Sequence, residues 1–333
     1  MNESVPALEV RDLAVHFRGD GGTVHAVDGV SFAVGVGETV AVVGESGSGK
    51  TVTALAVMGL VDPPGLIETG TIELGGRGLV GLNERQYREV RGREIGMIFQ
   101  DPMTALNPVL RVGAQIAEAI RVHDRKVSRG AARTRAVELL ERVGLAPGKQ
   151  RARDFPHSLS GGMRQRVMVA IAIANTPRLL IADEPTTALD VTTQAQILEL
   201  LGELQQELGM ALLLVTHDLG VVAGLADRVV VMYAGRVVEQ GPVDRVFARP
   251  AHPYTRGLLA SVPTRGTVGA SLVPIPGAPP NPTAMPEGCA FHPRCPLAED
   301  RCRDEVPPLR DIAAEQRVAC VRAEHAIDWS PSS

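Results

Sequence analysis

Short runs of alternating apolar and polar residues open the chain, ALEVRDLAVHF and then HAVDGVSFAV, with a glycine-rich turn from Gly19 to Gly22 between them. Alternation of period two predicts antiparallel strands, each burying one face. The next run, ETVAVVG, is nearly continuous in apolar residues, as expected of a strand covered on both sides. It passes directly into GESGSGKT, and the TVTALAVMGL that follows is helix-compatible until the PPG at Pro63 to Gly65 stops it. From Gln115 to about Gly144 the period changes. QIAEAIRVH and AARTRAVELLERVGL carry apolar residues at helical spacing, predicting a separate helical lobe. Two more buried strands follow, RLLIAD ending at Asp183 and MALLLVTH ending at His217, with the helix TTQAQILELLGELQQEL between them. Beyond DRVVVMYAGRVVEQG the chain turns proline-rich (PIPGAPPNP). These shifts divide it into a domain over 1–262 and an extension over 263–333.

Composition narrows the function classes. With 44% hydrophobic and 22% charged residues, the 333-residue chain can bury a sizeable core. Aromatic residues are only 3%, which argues against a stacking surface for single-stranded nucleic acid. The 34 basic residues are outnumbered by 38 acidic ones, so no overall basic footprint exists for a nucleic-acid backbone. The opening MNESVPALEV lacks the layout of a secretory signal, and apolar runs such as Val167 to Ala174 are too short to span a bilayer. The expectation is a cytosolic protein that reaches a membrane only through partners.

The strongest chemical signal is Gly44-Glu45-Ser46-Gly47-Ser48-Gly49-Lys50-Thr51, which fits G-x-x-x-x-G-K-[ST] with one additional glycine. Glycines let successive backbone N–H groups turn toward phosphate oxygens, and the following helix adds its positive N-terminal end. Lys50 is placed to reach the β- and γ-phosphates, and the Thr51 hydroxyl to ligate Mg²⁺. Asp183 and Glu184 follow a buried strand. Alone, such a pair is a solvated strand terminus. Beside a phosphate loop, Asp183 suits Mg²⁺ coordination and Glu184 suits general-base work on water.

Further motifs occur in a fixed order. Leu159 to Arg166 reads LSGGMRQR; Gln100 ends the strand EIGMIFQ; His217 ends MALLLVTH; and LLIADEPTTALD contains Asp190. Each has an ordinary reading when alone: Ser160 as a helix cap, Gln100 as a surface amide, His217 as a capping histidine, Phe17 as core. Together they resemble the ATP-binding subunits of ABC transporters over about the first 260 residues. The resemblance implies an α/β P-loop NTPase with a RecA-like core, an N-terminal antiparallel β subdomain, an α-helical signature subdomain at about 101–178, and a small cysteine-containing C-terminal extension. It implies ATP bound by Phe17 and the residues from Gly44 to Thr51, with Gln100, Asp183, Glu184 and His217, and Mg²⁺ held by Thr51, Gln100 and Asp183. Catalysis is expected from Lys50, Gln100, Glu184 and His217. Ser160, Gly161 and Gly162 are expected to meet ATP on an opposing subunit, with Asp190 near that seam.

DPMTALNPVLRVGAQIAEAI, just after Gln100, and the segments HPYTRGLLASVP, IPGAPPNP and GCAFHPRC are similar to the oligopeptide and dipeptide importers. That branch implies two transmembrane permease subunits, a second ATP-binding subunit in a heterodimer, an extracytoplasmic solute-binding protein acting indirectly, no nucleic acid, and a place on the cytoplasmic face of the membrane. Nickel and other solute importers share the extension, and a soluble ABC ATPase acting on nucleic acid or ribosomes is the remaining alternative. Cys289, Cys295, Cys302 and Cys320 are spaced C-x5-C-x6-C-x17-C. Thiolates suit zinc or an iron–sulfur cluster, and no paired C-x2-C knuckle is present. The resemblance implies a [4Fe-4S] cluster.

Overall fold

The computed structural model describes residues 5–19, 21–261 and 274–328. The domain boundary expected at residue 262 lies outside them. In chain order the elements are β1 (Leu8–Gly19), β2 (Gly22–Val34), β3 (Thr39–Val43), α1 (Lys50–Met58), β4 (Gly65–Leu74), β5 (Arg77–Gly78), α2 (Glu84–Val90) and β6 (Ile95–Ile98). Then come α3 (Pro102–Ala105), α4 (Val112–His123), α5 (Arg129–Arg142), α6 (Gly148–Arg151), α7 (Gly161–Ala172), β7 (Leu179–Asp183), α8 (Val191–Leu208) and β8 (Ala211–Thr216). The chain continues through α9 (Leu219–Leu225), β9 (Arg228–Tyr233), β10 (Arg236–Pro242), α10 (Val243–Ala248), α11 (Pro253–Ala260), α12 (Arg301–Asp304), β11 (Arg310–Ala313), β12 (Gln316–Val318) and α13 (Ala323–Asp328).

Two compact units result. One holds the residues up to Ala7, Val34–Glu38 and Gly81–Leu214. Its strands lie in the order β8, β7, β6, with β6 and β7 parallel and in register from Ile95 opposite Leu179 to Ile98 opposite Ala182. Every residue of β6 and β7 is buried, which is why their sequences are apolar runs without alternation. Gly96 is needed in β6 because a Cβ there would sit 2.3 Å from the Ala172 carbonyl oxygen of α7. The helical lobe packs by the predicted faces. Val112, Ile116, Ala117 and Ile120 bury one side of α4, and Ala132, Ala136, Leu139 and Leu140 one side of α5. α4 begins three residues before the predicted Gln115, because Val112 and Gly113 N–H donate to the Asp154 and Ala152 carbonyls. α8 is capped by the Asp190 side chain and closed by Gly209 at φ 63.

The other unit holds Leu8–Ala33, Thr39–Val80 and Val215–Ser333. One sheet runs β2, β1, β4, β5, with β4 antiparallel to β1. The predicted β1 and β2 are present. β4 was not evident from its residues, because only Ile72 and Leu74 of its ten are buried and its alternation is faint. The second sheet orders β11, β12, β10, β9, β3, with β3 parallel to β9 and β10 antiparallel to both β9 and β12. Thus the cysteine-bearing tail contributes strands to the same sheet as β3. Its Val318 pairs with Glu239 and packs in a buried cluster with Ala251, Cys320 and Ala323. α1 ends earlier than predicted, at Gly59 in the left-handed conformation (φ 62), whose N–H closes onto Ala56 O before the prolines are reached. No helix among the described residues is long and apolar enough to cross a membrane.

Candidate active site: the phosphate loop and the Gln100–Glu184 pair

The phosphate loop spans the gap between buried β3 and α1, and its geometry follows from glycine. Gly44, Gly47 and Gly49 have φ of 156°, 78° and 98°. A Cβ on Gly44 would stand 2.2 Å from Met232 O, and one on Gly49 2.4 Å from Ala26 O, so β9 and β2 admit hydrogen only. Lys50 is buried and its ammonium donates to the carbonyls of Gly44 (2.9 Å) and Glu45 (3.0 Å), folding the loop around its own side chain. Gly235 N–H donates to Ser48 O (3.1 Å), tying the loop to the β9–β10 turn. Thr51 occupies the first turn of α1 and is half-buried; Ser46 is exposed. Among the described residues the Ser48 hydroxyl is buried without a hydrogen-bond partner.

Glu45 is held from two directions that sequence spacing did not suggest. Its N–H donates to the Tyr254 hydroxyl of α11 at 2.8 Å. Its carboxylate takes both Nη groups of Arg294, at 2.7 and 3.0 Å. Arg294 also donates to the Tyr233 hydroxyl (3.3 Å) and the Pro276 carbonyl (2.9 Å). No local signal marks these partners, since Arg294 lies 249 residues from Glu45.

In the other unit, β7 ends on buried Asp183 and Glu184 follows at φ 44, a left-handed conformation that few non-glycine residues adopt. Gln100 Nε2 donates to Glu184 Oε2 at 3.0 Å, and Thr187 Oγ1 donates to the same oxygen at 2.9 Å. The sequence marked Gln100 and Glu184 but passed over Thr187. Ser160 caps α7, its Oγ accepting from Met163 N–H at 3.3 Å. Gly162 must lack a side chain because a Cβ would meet Thr193 Cγ2 at 2.5 Å, and Gly161 lies against Leu189. Asp190 caps α8 by accepting from Thr193 N–H and Oγ1, which hold its carboxyl below the usual carboxylate range. The signature glycines therefore pack on the loop and helix start that carry Asp190.

His217 is exposed immediately after β8. Phe17 is half-buried on β1, opposite Gly65, where a Cβ would strike its ring at 2.6 Å.

The iron–sulfur expectation is corrected. Cys289, Cys295, Cys302 and Cys320 line one small cavity with His252 and Phe291 and form no disulfide. Among the described residues no group of Cys, His, Asp or Glu is arranged to hold a metal ion, for iron–sulfur or for zinc. Burial pushes the Cys295 thiol up to about 11 and the Cys320 thiol up to about 12.

Comparison with known proteins now adds to the geometry. The ABC transporter family model matches residues 27–187, and the model for the C-terminal region of oligopeptide/dipeptide transporters matches 238–302. The chain is 55% identical to the oligopeptide transport ATP-binding protein OppD of Bacillus subtilis, over 92% of this chain and 86% of that one. It is also 55% identical to OppD of Mycobacterium tuberculosis, over 96% of this chain, and it spans about half (52%) of that longer relative. A solved ATP-binding cassette, dimeric and bound to ADP and Pi, matches with TM-score 0.64 and 30% identity, covering 71% of this chain and 98% of that one. With a glycine-built phosphate loop, a buried strand ending in Asp183-Glu184 and the LSGG helix start all in place, this chain belongs to the ABC transporter family, in its oligopeptide/dipeptide branch.

Proposed function

We propose that this chain is the ATP-hydrolysing motor of an ABC importer for di- or oligopeptides. The observation that carries the reading is the phosphate loop, with three glycines at positive φ, Lys50 drawn into its turn and α1 starting at its end. The loop N–H groups and Lys50 are assigned to the ATP phosphates, and Phe17 to the adenine. Mg²⁺, which supplies charge neutralisation on the phosphates, is assigned to Thr51, Gln100 and Asp183. Glu184 is assigned to proton abstraction from the attacking water and His217 to the γ-phosphate. Ser160, Gly161 and Gly162 are assigned to ATP on a second ATP-binding subunit, with Asp190 beside that seam.

The peptide branch is supported by the match over 238–302 and by the names of the relatives. Docking of two permease subunits at the cytoplasmic face is supported by the segment after Gln100. There Met103, Val109 and Leu110 are 59%, 75% and 38% exposed, so one short segment presents three apolar side chains to a partner. ATP hydrolysis by the purified chain with Mg²⁺ tests the core of the reading. Lys50→Ala should lower it by about 100-fold or more. Undiminished hydrolysis in that variant would remove the assignment.

A further inference from the structure

The phosphate loop carries a negative charge of its own. Glu45, its second residue, is only partly screened, its side chain being 26% exposed. An uncompensated carboxylate there would oppose the approach of a polyanion. The structure compensates it with Arg294, whose side chain is 6% exposed and reaches Glu45 from the segment just before Cys295. The grip is bidentate, and Arg294 is fixed in turn by Pro276 O and the Tyr233 hydroxyl, with the Tyr233 and Phe291 rings 5.8 and 5.9 Å away. Tyr254 holds the same residue through its backbone, accepting from Glu45 N–H. Tyr254 is itself anchored. It is fully buried, its N–H donates to His252 Nδ1 at 3.0 Å, and its ring packs on Tyr233 at 4.6 Å.

We propose that the C-terminal segment is a working part of the nucleotide site: Arg294 and Tyr254 are positioning residues that neutralise and fix Glu45 so that the loop accepts a nucleoside triphosphate. This rests on the phosphate loop being the ATP site. Arg294 touches no nucleotide; it acts through Glu45. Loss of the guanidinium exposes the loop to its own carboxylate, and loss of the Tyr254 hydroxyl frees the backbone at the loop's first turn.

The test is titration of the full chain with a fluorescent ATP analogue, with the Tm of the nucleotide-free protein measured in parallel. Arg294→Gln should weaken binding about tenfold, because the Glu45 carboxylate is left uncompensated beside the incoming phosphates. Adding Glu45→Gln to that variant should recover about fivefold, because the repelling charge is gone. The Arg294→Gln defect should also shrink as salt is raised, as an electrostatic cause requires. Tyr254→Phe, which keeps the buried ring, should weaken binding about threefold and carries the test if Arg294→Gln does not fold. Wild-type affinity in Arg294→Gln or in Tyr254→Phe, or a double variant no better than Arg294→Gln, overturns the proposal. Lys50→Ala separates the two levels. If it binds the analogue as well as wild type, the ATP-site reading itself fails; if it does not, a failure of the Arg294 variants falls on this inference alone.

Discussion

Gln100 and Glu184, 84 residues apart in sequence, share a hydrogen bond of 3.0 Å, and the same carboxylate oxygen accepts a second one from Thr187. Two donors on one oxygen fix the orientation of the carboxylate, which a base acting on water requires.

Glu184→Gln should therefore leave ATP binding within about twofold of wild type while lowering turnover by about 100-fold or more. Single-turnover phosphate release beside equilibrium binding measures the two separately. Wild-type phosphate release from this variant would remove Glu184 from the reaction. Gln100→Ala should cost less, about tenfold in turnover, because Thr187 still holds the carboxylate.

The loop glycines resist a side chain to different degrees. At Gly49 both causes combine, a φ of 98° and a Cβ position 2.4 Å from a backbone oxygen that cannot rotate away. Gly49→Ala should lower stability by about 1–3 kcal/mol and abolish measurable ATP binding. Gly47, whose Cβ would meet nothing within 4 Å, should tolerate alanine at the cost of its φ alone. Urea unfolding of the two variants side by side checks the difference.

Val109 is 75% exposed in the segment assigned to permease docking. Val109→Asp should leave the fold and its unfolding midpoint unchanged, since the side chain buries almost nothing. It should reduce recovery of permease subunits in co-purification from native membranes about tenfold. Unchanged recovery would move the docking surface elsewhere.

His252 supplies a pH test of stability. Complete burial holds its imidazole neutral down to about 3, against an ordinary value of 6.5. Between those values the unfolded chain takes up a proton that the folded chain refuses. This contribution is thus full above about pH 6.5 and falls by about 1.4 kcal/mol per pH unit as the solution is acidified. Glu239 faces it, accepting from the Ala251 and His252 N–H groups, and burial raises its carboxyl. Its contribution has the opposite sign, being present at low pH and lost as pH rises through the raised value. His252→Asn keeps an acceptor for the cap bond to Tyr254 N–H and removes the imidazole. It should flatten the loss of stability between about pH 6 and about pH 4, read from urea midpoints. An unchanged slope would show that other groups carry the acid response.

Local information sufficed for the parts of this protein whose chemistry is local. The phosphate loop is eight consecutive residues, and glycine spacing there dictates the turn, so GESGSGKT could be read without coordinates. The buried strands β3, β7 and β8 were legible because burial on both faces leaves unbroken apolar runs, and α4, α5 and α8 because one face of each is apolar. Tertiary structure decided what depends on pairing. β4 is half exposed and becomes a strand only beside β1, and β12 extends the sheet only because Val318 and Arg317 meet Glu239 and Gln240. It also overturned the cluster expected from four cysteines, since spacing alone does not fix whether the side chains are arranged to hold a metal, and among the described residues no such group is. The Arg294–Glu45 pair belongs to the same class, two ordinary charged residues 249 positions apart whose meaning is created by the fold that joins them.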